Sequence, residues 1–279
     1  MDIQWPLTLF TVVAGAGAGL LAFAGISEFL QSSKRSRFLA LISSLVLLIV
    51  GGCISLFHLQ NPANFMAAAG NLGSFSPISL ELIFLGICVI VAIVYLVVVN
   101  REGSASKVLG VIGIVFGLLF GYFSGHGYEV IAVRQSWATP AVTFSYCLSA
   151  MTMGGFLFLA LQATTKDEAT AMKKTALVVG VVAVLETITY LIYGATGQIG
   201  DNAPLFWIMA VVVGGVAAAV AGIVAWLKVK TTTGMAYLGI VVAVAGAISF
   251  RAVMWLAGST FVPNLFDIAA NSRGLFPFN

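Results

Sequence analysis

The chain has 279 residues, of which 60% are hydrophobic and only 8% charged. Soluble domains carry about 25% charged residues, so this composition excludes water as the solvent for most of the surface and leaves lipid. The formal net charge of +3 is small, and no basic stripe interleaves with aromatics, which excludes nucleic acid as a partner.

A helix needs about 20 apolar residues to cross the hydrocarbon of a bilayer. The first such run, 6–31, begins without a basic stretch, and apolar sequence continues past Ala14 to Gly19. It is therefore expected to stay as a span and not to be cleaved as a signal. Lys34, Arg35 and Arg37 follow it. The second run, 38–59, ends on His58. The third, 78–99, carries Glu81 near its start. The fourth, 108–125, places Gly113, Gly117, Gly121 and Gly125 at every fourth position. The fifth, 139–163, follows Trp137. The sixth, 174–196, contains Glu186; the seventh is 204–227; the eighth, 234–257, contains Arg251. The expected fold is an all-α integral membrane protein: one polytopic anchor domain over 1–279, with a bundle of about eight transmembrane helices.

Charge orients the bundle. If 32–37 is cytoplasmic, so are the loops near 100–107, 164–173 and 228–233. That side then holds Lys34, Arg35, Arg37, Arg101, Lys107, Lys166, Lys173, Lys174, Lys228 and Lys230, and the opposite side only Arg134 and Arg273. The positive-inside rule places both termini outside. The glycine stripes, including Gly15 and Gly19 in the first span, suit close helix packing, within the bundle or against a partner. Cys53, Cys88 and Cys147 lie in apolar runs without metal-ligand spacing and are expected to be core residues. No metal site is expected.

Ionisable groups at membrane depth are costly and default to functional candidates. They are Glu28, His58, Glu81, Glu186 and Arg251. In this topology all but Glu28 fall in the outer half, below outer loops that hold His126, Tyr128, Glu129, Arg134 and Trp137. A polar pocket opening outward is the inference. Each group also has a plainer reading: His58 as a helix cap or headgroup contact, Glu81 as a charge suited to a helix N-terminus, Arg251 as an interfacial anchor, and Glu28 snorkelling toward Lys34 and Arg35. Two histidines, one of them placed in a loop, do not make a bis-histidine haem site. Neither a nucleotide loop nor a hydrolase motif is present.

The stretch Cys53 to Gly86, CISLFHLQNPANFMAAAGNLGSFSPISLELIFLG, resembles the anchor subunit of dimethyl sulfoxide reductase, DmsC. The shared pattern is S-x-x-H-L-x-x-P followed by a serine-containing stretch and a glutamate opening span three: Ser55, His58, Leu59, Pro62, Ser76, Ser79 and Glu81. Tyr128 to Gly155, with Trp137, Thr139 and Pro140, is similar to a second family segment. The resemblance implies an anchor in a bacterial or archaeal cytoplasmic membrane. It implies binding to an iron–sulfur subunit, which in turn binds a molybdopterin catalytic subunit at the outer face. It implies oxidation of menaquinol with no redox centre in this chain. His58 corresponds to the family's quinol-site histidine and Glu81 to the carboxylate near it. On this reading His58 accepts a quinol proton and Glu81 orients the imidazole or passes the proton on; apart from the resemblance, the depth of Arg251 in the outer half suits it to steady the quinolate charge. Phe57 and Trp137 clamp the ring. The alternatives are a secondary transporter with Glu186 as coupling carboxylate, for which the sequence offers no clear repeat, and a purely structural tether.

Overall fold

The computed structural model describes residues 2–59, 66, 70–102, 106–131, 134–196 and 199–258. Eight helices are long and apolar enough to span a membrane. They are α1 (Trp5–Leu30), α2 (Lys34–Ser55), α3 (Pro77–Glu102), α4 (Lys107–Glu129), α5 (Pro140–Thr165), α6 (Ala169–Ala195), α7 (Gly200–Leu227) and α8 (Thr232–Ala257). The expected spans coincide with these to within a few residues. α1 has 26 residues, about 39 Å at 1.5 Å per residue, enough for a hydrocarbon core of about 30 Å. α7 changes character along its length: a π-helical stretch, Phe206–Ala217, runs into the α-helical Ala218–Leu227 without a break.

The helices form two rings of four. In the first, α1 packs on α2, α2 on α3, α3 on α4, and α4 back on α1; in the second, α5, α6, α7 and α8 close in the same order. The first helix of each ring meets the other: α1 packs along α5, and α4 also lies against α5. The sequence showed no repeat, yet the architecture repeats. Of these, α1 and α5 are the most enclosed: 83% and 78% of their most apolar 18 residues are buried, against 28% in α3. Val46, Ile93, Ile188 and Val220 are among the exposed apolar residues of the outward faces, which lipid covers.

No hydrophobic force separates a helix face from lipid, so close packing must hold the rings together. At the α1–α5 crossing Gly19 lies against Ala150 and Gly154. A Cβ on Gly154 would stand 2.1 Å from the Gly19 carbonyl carbon. The α4 stripe packs internally too: Gly117 lies on Ala18 of α1 and Gly125 on Thr143 of α5. Internal packing thus takes up the face that a partner helix would have needed.

Call the end where α1 begins the upper end. At the lower end two polar clusters brace the turns. Glu28 is buried and pairs with Arg37 at 3.1 Å; Arg37 Nε also donates to Ser27 Oγ at 2.9 Å, and the Tyr95 hydroxyl donates to Glu28. This corrects the expectation that Glu28 snorkels toward Lys34 and Arg35: its partner is the arginine one turn further along. Asp167, in the α5–α6 turn, accepts from the Ser33 amide at 3.0 Å, the Ser36 hydroxyl at 2.8 Å and the Thr165 hydroxyl at 2.8 Å, and from the Ser33 hydroxyl. Burial alone would raise its carboxyl; these bonds outweigh that and hold it below the ordinary carboxylate value. The corresponding turns of the two rings are thereby joined.

Cys88 and Cys147 are buried, as expected. Cys53 is not: it is exposed on α2.

Candidate functional site

At the upper end α2 tightens into a 3₁₀ turn, Leu56–His58. The His58 side chain folds back, and its Nδ1 bonds the Ser55 carbonyl. A carbonyl only accepts, so Nδ1 carries a hydrogen, and in the neutral ring the lone pair is on Nε2. Nε2 has no hydrogen-bond partner among the described residues. The capping reading and the site reading therefore use different nitrogens of one ring.

α3 begins under a serine cap. The Ser76 hydroxyl accepts from the Ser79 amide at 3.3 Å, and Pro77 stands at the first helical position, where its missing N–H costs nothing. Ser79 in turn bonds the hydroxyls of Ser74 and Ser76 at 3.0 and 2.8 Å. Glu81 is the fifth residue of the helix, beyond the first turn in which the helix dipole acts strongly. The dipole alone does not explain a carboxylate there.

These two ends face a common space. His58, Glu81, Ser124, Tyr128, Trp137 and Trp255 line a cavity of about 530 Å³, within the size range of small-molecule sites. Its walls come from α1, α2, α3, α4, α8 and the segment after α4. Three edge-to-face ring pairs knit one wall: Tyr128–Trp137 at 5.5 Å, Tyr128–Trp255 at 5.7 Å and Trp137–Trp255 at 4.9 Å. The Trp137 indole N–H donates to the Met254 carbonyl at 2.7 Å, which ties the α4–α5 segment to α8. Ser124 stands beside the Glu81 carboxyl, while Glu81 Oε1 and Trp255 Nε1 are buried without a close hydrogen-bond partner among the described residues.

Arg251 is not among the lining residues of this cavity. It is 1% exposed, which also removes the interfacial-anchor reading. Nε donates to Thr11 Oγ1 at 2.9 Å, and Nη1 to Ser149 Oγ at 3.3 Å and to the Ala247 carbonyl at 3.0 Å. The guanidinium lies 4.1 Å over the Tyr146 ring, and Tyr146 meets Tyr128 at 5.4 Å. Arg251 thus sits behind the cavity wall, binding α1, α5 and α8 together where the rings join. A cation at the bilayer centre costs about 2.5–3.5 kcal/mol on insertion scales; these bonds and the aromatic face offset that cost.

Glu186 is fully buried in the second ring. Its Oε1 accepts from the Tyr190 hydroxyl at 2.6 Å, and Tyr190 stacks on Phe250 at 4.9 Å. It does not line the cavity either. Phe57 is 80% exposed and is not among the residues lining the cavity. His126, Tyr128 and Glu129, expected in a loop, complete α4. There His126 stacks on Tyr122 at 5.6 Å and lies 3.4 Å from Glu129. Pro62 and Arg273 lie outside the described residues. Among the described residues no three His, Cys, Asp or Glu side chains converge as metal ligands.

Sequence reading missed Ser124 and Trp255. The signal for Trp255 was its spacing: it stands four residues after Arg251, so both occupy one helix face, and a buried arginine turns its neighbour inward. Ser124 adjoins Gly125 in the stripe and had no comparable mark.

A family model described as the DMSO reductase anchor subunit (DmsC) matches residues 1–199. That range holds His58, Glu81, Ser124, Tyr128 and Trp137; α8, with Arg251 and Trp255, lies beyond it. No curated protein matches the chain.

Proposed function

Because the chain belongs to the DMSO reductase anchor-subunit family, the membrane anchors of DMSO reductase-type complexes, we propose that its upper cavity oxidises menaquinol and delivers the electrons to an iron–sulfur partner. The observation that supports this most directly is the pairing of an unbonded imidazole nitrogen and an unbonded carboxylate oxygen, on different helices, in one aromatic cavity. A quinol needs just such a place: a flat apolar slot with proton acceptors at the rim.

The oxidation releases two protons and two electrons. Nε2 of His58 takes a proton from a quinol hydroxyl, while the Ser55 carbonyl holds the ring and stabilises the imidazolium through Nδ1–H. Glu81 accepts the other proton or relays the first. Arg251 acts from behind the wall, through its charge and through Tyr146. The electrons pass to a cluster in the partner docked over the upper end, and from there to a molybdopterin subunit.

On the charge rule, the upper end is the outer face of a bacterial or archaeal cytoplasmic membrane, with both termini on that side. Protons released there match those that an outside reductase consumes, so the cycle separates no charge. The transporter reading has less support. Glu186 is sealed against Tyr190, and two rings of four spans share one sense, so they cannot form an inverted pair.

The test is to extract the tagged chain in mild detergent from cells expressing its neighbouring redox subunits. Molybdenum and iron should co-purify with it, and the preparation should turn over with a menaquinol analogue. A metal-free single species that binds no quinol would end this reading.

A further inference from the structure

Ten buried side-chain polar atoms among the described residues have no hydrogen-bond partner. Two of the ten, Glu81 Oε1 and Trp255 Nε1, belong to residues lining the one upper cavity, where the Ser124 hydroxyl stands beside the Glu81 carboxyl. Unsatisfied buried donors are rare because leaving one costs free energy. A donor and an acceptor of this kind in residues that wall one cavity can be partnered by what occupies it.

Trp255 is the informative member. It is 5% exposed, and a buried indole N–H ordinarily finds an acceptor. Trp137, which it meets at 4.9 Å, does so on the Met254 carbonyl. Trp255 sits one residue further along and has no such bond. Its ring is held by Tyr128 and Trp137, so it is not free to turn toward another acceptor. Among the described side chains that line the cavity, Nε1 of Trp255 is an uncommitted donor that cannot also accept, whereas Nε2 of His58 and the Glu81 carboxylate are acceptors.

Donor and acceptors of this kind suit a ligand with two oxygens. We infer that Trp255 donates to the second oxygen of the quinol, the one not held by His58, and so fixes which way round the ring enters. This rests on the quinol reading above and deepens it. A hydroxyl oxygen accepts from the indole before oxidation and a carbonyl oxygen after it, so the bond survives the reaction. Trp255 is therefore a positioning residue: its loss weakens binding and leaves the proton-accepting groups in place.

The experiment uses the chain in its complex and two probes, a para-dihydroxynaphthalene and naphthol, which lacks one of the two oxygens. Binding is measured by calorimetry, and assembly is checked by turnover with an artificial electron donor. Wild type should prefer the diol roughly tenfold, the worth of one net hydrogen bond. Trp255→Phe should bind the two probes alike, with naphthol affinity unchanged, and should raise KM for the quinol about tenfold with kcat retained. A Trp255→Phe protein that still prefers the diol overturns the inference while the quinol site stands. Equal binding of both probes by wild type overturns it too, whether or not the variant assembles. If wild type binds neither probe, the quinol reading itself falls.

Discussion

The imidazole of His58 is bonded through Nδ1 to the backbone carbonyl of Ser55, three residues before it in the chain. That bond chooses the tautomer, because the carbonyl leaves Nδ1 no role but donor. The remaining nitrogen has no partner among the described residues, in a ring that lines an aromatic cavity.

His58→Ala should therefore lower quinol-dependent turnover at least about a hundredfold, the usual worth of a positioned general base. Artificial-donor turnover should be unchanged, since the partner subunits' chemistry is not touched. Parallel assays of both activities on one membrane preparation check this; equal loss of both would point to failed assembly and remove His58 from the site.

Glu81 differs, because among the described residues its carboxyl has an oxygen without a close hydrogen-bond partner and forms no salt bridge. Glu81→Gln keeps shape and removes the acceptor. We expect quinol-dependent turnover to fall at least about tenfold, with cavity binding of a quinone inhibitor little changed. Turnover at the wild-type rate in Glu81→Gln would leave His58 as the sole proton acceptor.

Arg251 should report on architecture first. Arg251→Lys keeps the charge but loses the planar fork and its stacking on Tyr146. The hydroxyls of Thr11 and Ser149 lose their donor, at roughly 1–3 kcal/mol. Thermal aggregation of the detergent-extracted chain should begin several degrees lower, while KM for the quinol moves little. A raised KM at unchanged stability would bring Arg251 back to the ligand.

At the α1–α5 crossing there is no room for a side chain. Gly154→Val should abolish accumulation of folded chain, judged by a monodisperse peak in size-exclusion chromatography. Gly86→Ala, on α3, should leave it unchanged, since no atom lies within 4 Å of a Cβ there.

Asp167 supplies a pH dependence. Its folded value lies below the ordinary carboxylate value, so its contribution is present above the unfolded value and is lost as pH falls through the folded one. Thermal stability of the wild type should decline on acidification below the usual carboxylate range. Asp167→Asn should be less stable by a few degrees at neutral pH and show a flatter acid limb. Melting curves across the acid range decide it.

Much of this was readable in advance, for definite reasons. Eight spans are legible because lipid demands about 20 apolar residues in a row. His58 and Glu81 are legible because a polar group in such a run is conspicuous, and because the pattern around them is a family's. Helix phase is not legible. In water a polar stripe marks the outward face; here both faces are apolar, and α3 and α5 carry almost no sidedness in their sequences. Arg251 could therefore be placed in depth but not in direction, and it turns out to bind the rings behind the cavity. Glu28 was misassigned because three basic residues follow α1 and only geometry selects Arg37. Trp255 has an apolar body, and its unpaired nitrogen exists only in the folded arrangement.

The cavity draws its wall from both rings, with His58 and Glu81 in the first and Trp255 at the last turn of α8. In chain order His58 and Glu81 therefore come early, and α8 completes the wall around them last. A chain that stops between α7 and α8 lacks the Trp255 part of that wall. The order of synthesis thus leaves the wall that joins the two rings to the last of the described helices.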